Sequence, residues 1–250
     1  MEIQDLEKAA ALGWRAPRQE RLGDWLLREA EGFTGRANSA LAIGDPGLPL
    51  PAAVDTVTGW YASRGLPPMI AVPYPTGRPH GSELDRHLAA RGWTIRSGAA
   101  TVMTATPADL PAPPPLEAPA TLRTAPEPDD DWLSLYAPAG PPPVAVHLLT
   151  SAPWQTFARI VHDGTTVAIG RVAGSTHWAG ITAVEVHPAH RRRGLATAIT
   201  AALSAHASDR GTKAIYLQVE NDNPNARALY DHLGFKPHHA YHYRLAPATR

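Results

Sequence analysis

Residues 184–207 constrain what this chain can fold into more than any other stretch. Val184 and Val186 end a β-branched run that starts near Trp178, Pro188 stops it, and a basic turn, His-Arg-Arg-Arg-Gly, follows. Beyond the turn Leu195, Ile199, Ala202 and Leu203 recur at spacings of three and four, the pattern of a helix with one apolar face. Arg210-Gly211 supplies a cationic last turn and a stop. The segment reads as strand, loop, helix, and the helix N-terminus is the end that needs a partner.

The first backbone N–H groups of a helix lack internal acceptors and lie at the positive end of its dipole, so they suit a phosphate. Arg191, Arg192 and Arg193 add fixed charge there, Gly194 lets the backbone approach an anion closely, and Ala196 keeps the next approach point small. The spacing Arg-x-x-Gly-x-Ala lacks the Gly-Lys-Ser/Thr of an NTPase loop and the three glycines of a dinucleotide fold, so neither chemistry is indicated.

Residues 176–236 resemble the GNAT superfamily, the Gcn5-related acetyltransferases. The family's Arg/Gln-x-x-Gly-x-Gly/Ala motif is matched by Arg191, Gly194 and Ala196 behind a Val-x-Val-x-Pro strand. A second family pattern is matched, in family order, by Asn223-Pro-Asn-Ala-Arg-Ala-Leu-Tyr-Asp-His-Leu-Gly-Phe. The resemblance implies that the loop, from Arg191, Arg192 and Arg193 through Gly194 and Leu195 to Ala196 and Thr197, holds the pyrophosphate of acetyl-CoA. It also implies that the strand end, Val184, Glu185 and Val186, offers backbone groups to the pantetheine arm and the acetyl carbonyl. Asn223 then contacts the arm, although Asn-Pro is also an ordinary helix start. Tyr230 is expected beside the CoA sulfur, as the acid that protonates the departing thiolate.

Many family members carry a Glu base where Gln218 stands here, and a glutamine cannot accept a proton. Glu185 points away from Val184 and Val186 by strand alternation, which makes it the replacement base or water relay, with Glu220 and His187 as rivals.

Composition excludes several other classes. No cysteine is present, which removes disulfides, thiolate catalysis and cysteine-based zinc sites. Lys plus Arg and Asp plus Glu are 23 each, so nothing draws the whole molecule to nucleic acid or a membrane, and the expectation is cytoplasmic, in a bacterial cell. His238, His239 and His242 lack a metal-site pattern and read as a polar strand, so no metal is expected.

The chain in order suggests a tandem. Expected elements are a helix over 2–12, hairpin strands over 24–28 and 35–43, a helix over 52–64, a strand over 69–72, a helix over 82–91 closed by Gly92-Trp93, and a strand over 95–106. The same order recurs over 155–245, where Asp163-Gly164 marks a hairpin turn and Gly234-Phe235 closes the last helix. The fold expected is α/β, two tandem GNAT-like domains, each a mixed, mostly antiparallel sheet flanked by helices. Residues 1–108 form a degenerate GNAT-like domain without an acetyl-CoA motif, because Gly44-Asp-Pro-Gly-Leu-Pro-Leu-Pro replaces the basic loop and proline has no N–H to donate. Residues 109–119 are a proline-rich linker and 120–250 the catalytic domain.

The function implied is acetyl-CoA-dependent N-acetylation of a primary amine by direct attack in a ternary complex. The acceptor is a small molecule or a peptide, and the protein a monomer or homodimer. The alternative is a non-catalytic acyl-CoA-binding or sensing module.

Overall fold

Each half of the chain is built on a strand, a crossover helix and a parallel strand, and the two halves exchange their last strands. The computed structural model describes residues 2–79, 81–175 and 177–248; Thr176, where the family-like stretch starts, lies outside them. The first half comprises α1 (Ile3–Gly13), β1 (Arg18–Leu22), β2 (Trp25–Glu29), β3 (Ala40–Leu41), α2 (Leu50–Ala62), β4 (Met69–Pro75), α3 (Glu83–Ala90) and β5 (Thr94–Ala105). The second comprises β6 (Thr121–Ala125), α4 (Asp130–Tyr136), α5 (Pro143–Thr150), β7 (Trp154–His162), β8 (Thr165–Gly174), β9 (Trp178–Val186), α6 (Leu195–Asp209), β10 (Ala214–Glu220), α7 (Pro224–His232) and β11 (Lys236–Leu245).

The strands form one mixed sheet in the order β1-β2-β3-β4-β11-β5-β10-β9-β8-β7-β6. Pairs β3–β4 and β9–β10 are parallel, as a helical crossover demands. β11 lies between β4 and β5, while β5 lies between β11 and β10. The final strand of each half therefore completes the sheet of the other, and hydrogen bonding runs unbroken from residue 18 to residue 125. The proline-rich stretch between the halves is also anchored: Leu110 and Leu116 pack against the core under α6.

Local chemistry explains most elements. Ser82 accepts the Asp85 amide at 3.1 Å and starts α3, and Asp129 accepts the Trp132 amide at 2.9 Å and starts α4. At the β7–β8 turn Asp163 (φ 49°) and Gly164 (φ 75°) both adopt positive φ, the two-residue geometry that matches strand twist. On α6, Leu195, Ile199 and Leu203 are buried as their spacing predicts; Ala198, Ala201 and Ala207 are buried too. Full burial of a Leu or Ile contributes about 1.5–3 kcal/mol.

The first hairpin differs from expectation. β2 pairs with β1, register Arg18↔Glu29 to Leu22↔Trp25, and residues 35–43 contribute only the two-residue β3. The rest of that segment is a loop held by Asn38, whose Oδ1 accepts the amides of Ala30 and Gly32 at 2.8 Å each. The loop packs with Trp14 against Trp132, Leu148 and Leu149 of the second half.

Candidate active site

A gap in the sheet positions the site. β9 and β10 pair only at Trp178, Ala179 and Gly180 against Ala214, Ile215 and Tyr216; beyond those residues the two strands part. On the other side of β9 the register slips between Ile169↔Glu185 and Arg171↔Thr182, so a bulge opposes Gly170. Ala183 sits in that bulge at φ 53°, a left-handed conformation unfavourable for alanine. Thr182 and Ala183 consequently face the same side, whereas Val184 and Val186 pack under α6. Glu185 points the opposite way, as alternation predicts.

The splayed strand leads straight into the α6 N-terminus. Arg192 (φ 65°) and Gly194 (φ 72°) are both left-handed, and a Cβ at Gly194 would touch nothing, so backbone conformation alone favours glycine there. No side chain caps the helix, and its first bond runs from the Ala198 amide to Gly194 O at 2.9 Å. The amides of Leu195, Ala196 and Thr197 precede that bond and face an open cavity of about 800 Å³ between α6 and α7. Arg191 and Arg192 line it, and Arg191 Nε donates to Val186 O at 3.3 Å, pinning loop to strand. Asn223 borders the far wall; its Oδ1 accepts the Ala226 amide at 3.0 Å, so it caps α7 ahead of Pro224.

Tyr230 is not on that wall. Its ring is buried against Phe235 at 5.7 Å between centroids, yet its hydroxyl forms no hydrogen bond among the described residues and is not sealed from solvent. Burial, reinforced by the negative charge of Glu185, pushes its pKa up to about 12. Glu185 is exposed along the strand, but the protein around its carboxylate pushes its pKa upward, opposed by Arg191. Val184 is partly buried against the core and Arg193 lies off the cavity wall, so of the expected site residues Val184, Glu185, Arg193 and Tyr230 do not line the α6–α7 cavity.

The opposite face of the gap joins Gln218 to Arg36, Arg171 and Tyr136, of which the motifs gave no sign. Gln218 accepts from Arg36 Nη1 at 2.6 Å and from the Tyr241 hydroxyl at 3.3 Å. Fully buried Arg171 donates to Leu149 O at 2.6 Å and Gly13 O at 3.0 Å. Tyr136 of α4 lies within the electrostatic reach of Arg36, Arg171 and Glu185 together; burial raises its pKa, and the two cations oppose that. Glu220 sits on the rim. His187 is exposed and meets the His190 ring edge-on, 5.8 Å between centroids. Of the three C-terminal histidines, His239 bonds to Glu7 and His242 to Asp85, each at 2.7 Å. Among the described residues no group of three or more His, Asp and Glu could hold a metal ion, and no helix is long and apolar enough to cross a membrane.

Residues 1–244 match a family model described as "Probable histone acetyltransferase Rv0428c C-terminal". The chain belongs to that family. It is thereby a member of the GNAT superfamily of N-acetyltransferases, and acyl transfer is its class of chemistry. Among similar proteins is "Uncharacterized N-acetyltransferase YobR" of Bacillus subtilis (strain 168), 27% identical over 250 residues with 98% of each chain covered. Another is "Probable histone acetyltransferase Rv0428c" of Mycobacterium tuberculosis H37Rv, 29% identical over 256 residues, covering 98% of this chain and 74% of that protein. The GNAT fold is matched by a "GCN5-related N-acetyltransferase from Kribbella flavida", TM-score 0.76 and 21% identity, covering 100% of this chain and 97% of that one. A "Tandem GNAT protein from the clavulanic acid biosynthesis pathway" superposes at TM-score 0.67 with 18% identity, covering 84% of this chain and 76% of that one.

Proposed function

We propose that this GNAT protein transfers the acetyl group of acetyl-CoA to a primary amine by direct attack within a ternary complex. The observation that carries the reading is the uncapped α6 N-terminus, which opens on a cavity of about 800 Å³ beside the splayed end of β9. Three amides at a positive helix end, with Arg191 and Arg192 beside them, fit a pyrophosphate. The bulged strand from Ala183 to Val186 leaves backbone groups unpaired on the β10 side, which suits an extended amide-bearing arm and a polarised acetyl carbonyl.

Each half-reaction then has a residue. Glu185, its pKa pushed upward, accepts the proton of the ammonium directly or through water, and the neutral amine forms the new C–N bond. As the C–S bond breaks, Tyr230 gives its proton to the sulfur and is reprotonated, through water, by the proton that the attacking nitrogen sheds on becoming an amide; with a pKa of about 12 it is held in the phenol form until then. Arg191, Arg192, Gly194 to Thr197, and Asn223 orient the cosubstrate, and the first half of the chain shapes the acceptor side.

The acceptor is a small amine or a peptide, free of nucleic acid or membrane, and the working unit a monomer or homodimer. The Mycobacterium relative is named a probable histone acetyltransferase, which adds a histone peptide to the acceptors worth testing. One observation favours the sensing alternative: Gln218, where a family base would stand, is engaged by Arg36 and cannot take a proton. Calorimetry with acetyl-CoA followed by thiol release over an amine panel separates the two. Binding with release supports the enzyme, and binding without release from any amine supports the sensor.

A further inference from the structure

The floor between the two halves is cationic, and it lies where an acceptor must sit to reach the gap between β9 and β10. Arg28, Arg36 and Arg171 converge on one small cavity of about 20 Å³ beside Gly180 and Thr182. Among the described residues none of the three forms an ion pair, and the carboxylate on that wall, Glu7, is bonded to His239 at 2.7 Å. Arg28 spends its contacts on Ser39, with Nε to the carbonyl and Nη2 to the hydroxyl at 3.0 Å each.

Arg171 and Arg36 differ in what satisfies them. Arg171 donates to Gly13 O and Leu149 O, at the C-terminal ends of α1 and α5, whose dipoles supply partial negative charge. Its third contact, Nη1 to Thr182 Oγ1, is long at 3.4 Å. Arg36 has a single hydrogen bond among the described residues, Nη1 to Gln218 Oε1, which leaves four of its five N–H donors. Both guanidinium groups stand over the Trp14 ring, at 5.1 and 5.5 Å from its centroid. Two like charges on one ring, one of them with most of its donors unused, describe an anion site.

The same Arg36, with Gln218, Tyr241 and Tyr243, also lines an adjoining cavity of about 380 Å³ that carries Glu220, Asp222 and Arg96, the last held over the Tyr243 ring at 5.7 Å. The outer cavity thus offers two acids against one arginine, whereas the floor carries arginines and one paired acid. A zwitterion matches that gradient, a polycation meets repulsion at the floor, and a polyanion meets it at the rim. The floor cavity has room for about one water, so an anion reaches Arg36 from the larger cavity, where the planar guanidinium fork suits a carboxylate.

Resting on the acetyltransferase reading above, we infer that the acceptor is an amino-acid-like amine whose own carboxylate is bound by Arg36 in the field of Arg171. Arg36 is then a specificity residue, and the first half of the chain, which supplies it, chooses the substrate.

The test is competition. The full-length protein is given acetyl-CoA and an equimolar mixture of the proteinogenic amino acids, their carboxamides and a lysine-rich peptide, with products read by mass spectrometry. Carboxylates are expected to outcompete matched carboxamides by ~10-fold or more in kcat/KM, as one lost charge-assisted pair implies. Arg36→Gln should collapse that ratio toward one through KM, and Arg36→Lys should restore only part of it. Equal or better use of the carboxamides or the peptide, an unchanged ratio in Arg36→Gln, or no acetylated carboxylate-bearing amine would each overturn the inference. Acetyl-CoA calorimetry on the same preparations keeps the outcomes apart: retained binding confines the failure to the acceptor, and absent binding sinks the transferase reading itself.

Discussion

The carbonyls of Leu88 and Tyr230 each accept the amide of the aromatic residue five positions later, Trp93 and Phe235, at 3.0 Å. Both helix ends then turn through a left-handed glycine, Gly92 at φ 78° and Gly234 at φ 98°, the closure that satisfies terminal carbonyls. Leu88 and Tyr230 are therefore the same position in two copies of one unit, and only the second copy carries a hydroxyl. The first copy also opens its crossover helix with Pro49 and Pro51 in place of the basic loop.

Tyr230→Phe isolates that hydroxyl. Because it has no hydrogen-bond partner among the described residues, its loss should leave stability within about 0.5 kcal/mol and leave acetyl-CoA affinity intact. Turnover should fall by about 10²-fold or more, the usual contribution of a positioned acid. Steady-state thiol release beside a denaturant melt checks both, and unchanged turnover would remove Tyr230 as the acid.

Glu185 and Tyr230 are coupled, and the pH profile carries the sign. As the proposed base Glu185 must be a carboxylate, so activity should be lost as pH falls through its pKa, which burial raises above the ordinary value. Its charge also holds the Tyr230 pKa up. Glu185→Gln should abolish the acid limb and move the alkaline limb of the residual activity to lower pH. A profile in which both limbs stay in place would contradict the coupling.

Asp85 ties α3 of the first half to β11 of the second. Its Oδ1 accepts from His242 Nε2 at 2.7 Å and Arg244 Nε at 2.8 Å, and its Oδ2 from Arg244 Nη2 at 3.0 Å. Burial alone would raise its pKa, but the bonds from Arg244 and His242 prevail and hold it at about 2. A depressed carboxylate pKa stabilises the fold above the unfolded value of about 4. That contribution disappears as pH falls toward 2. Asp85→Ala leaves Arg244 buried without its anion and should cost about 3–5 kcal/mol in urea unfolding near neutral pH. The deficit should shrink in acid.

Strand exchange makes the halves interdependent. Residues 109–250 alone lack β5, the partner of both β10 and β11, and residues 1–108 alone lack β11, which joins β4 to β5. Neither fragment should unfold cooperatively, because each exposes long unpaired strand edges. An equimolar mixture should regain a single transition. A cooperative, acetyl-CoA-binding 109–250 fragment would refute this.

Much of the fold was legible because its signals are local: the Gly92-Trp93 closure of the helix over 82–91, the Asp163-Gly164 turn and the spacing on α6. The loop from Arg191 to Thr197 was legible for the same reason. β1 escaped notice because Arg-Gln-Glu-Arg-Leu is an exposed edge strand with no alternation to read. The exchange of β5 and β11 leaves no local mark, since each strand has the same pattern whichever neighbour it takes. The bulge at Ala183 has no sequence signature. The cluster of Arg36, Arg171 and Gln218 joins residues up to 182 positions apart, so only the folded chain brings it together.

The central claim is that one helix N-terminus, and only the second copy's, binds acetyl-CoA. Calorimetric titration of the full-length protein tests it directly, with Gly194→Val as the control. The account predicts a single site per chain, and an affinity about 5- to 30-fold weaker in Gly194→Val, whose β-branched side chain disfavours φ 72° by about 1–2 kcal/mol. No heat from the unaltered protein, two equivalent sites, or unaltered binding by Gly194→Val would contradict it.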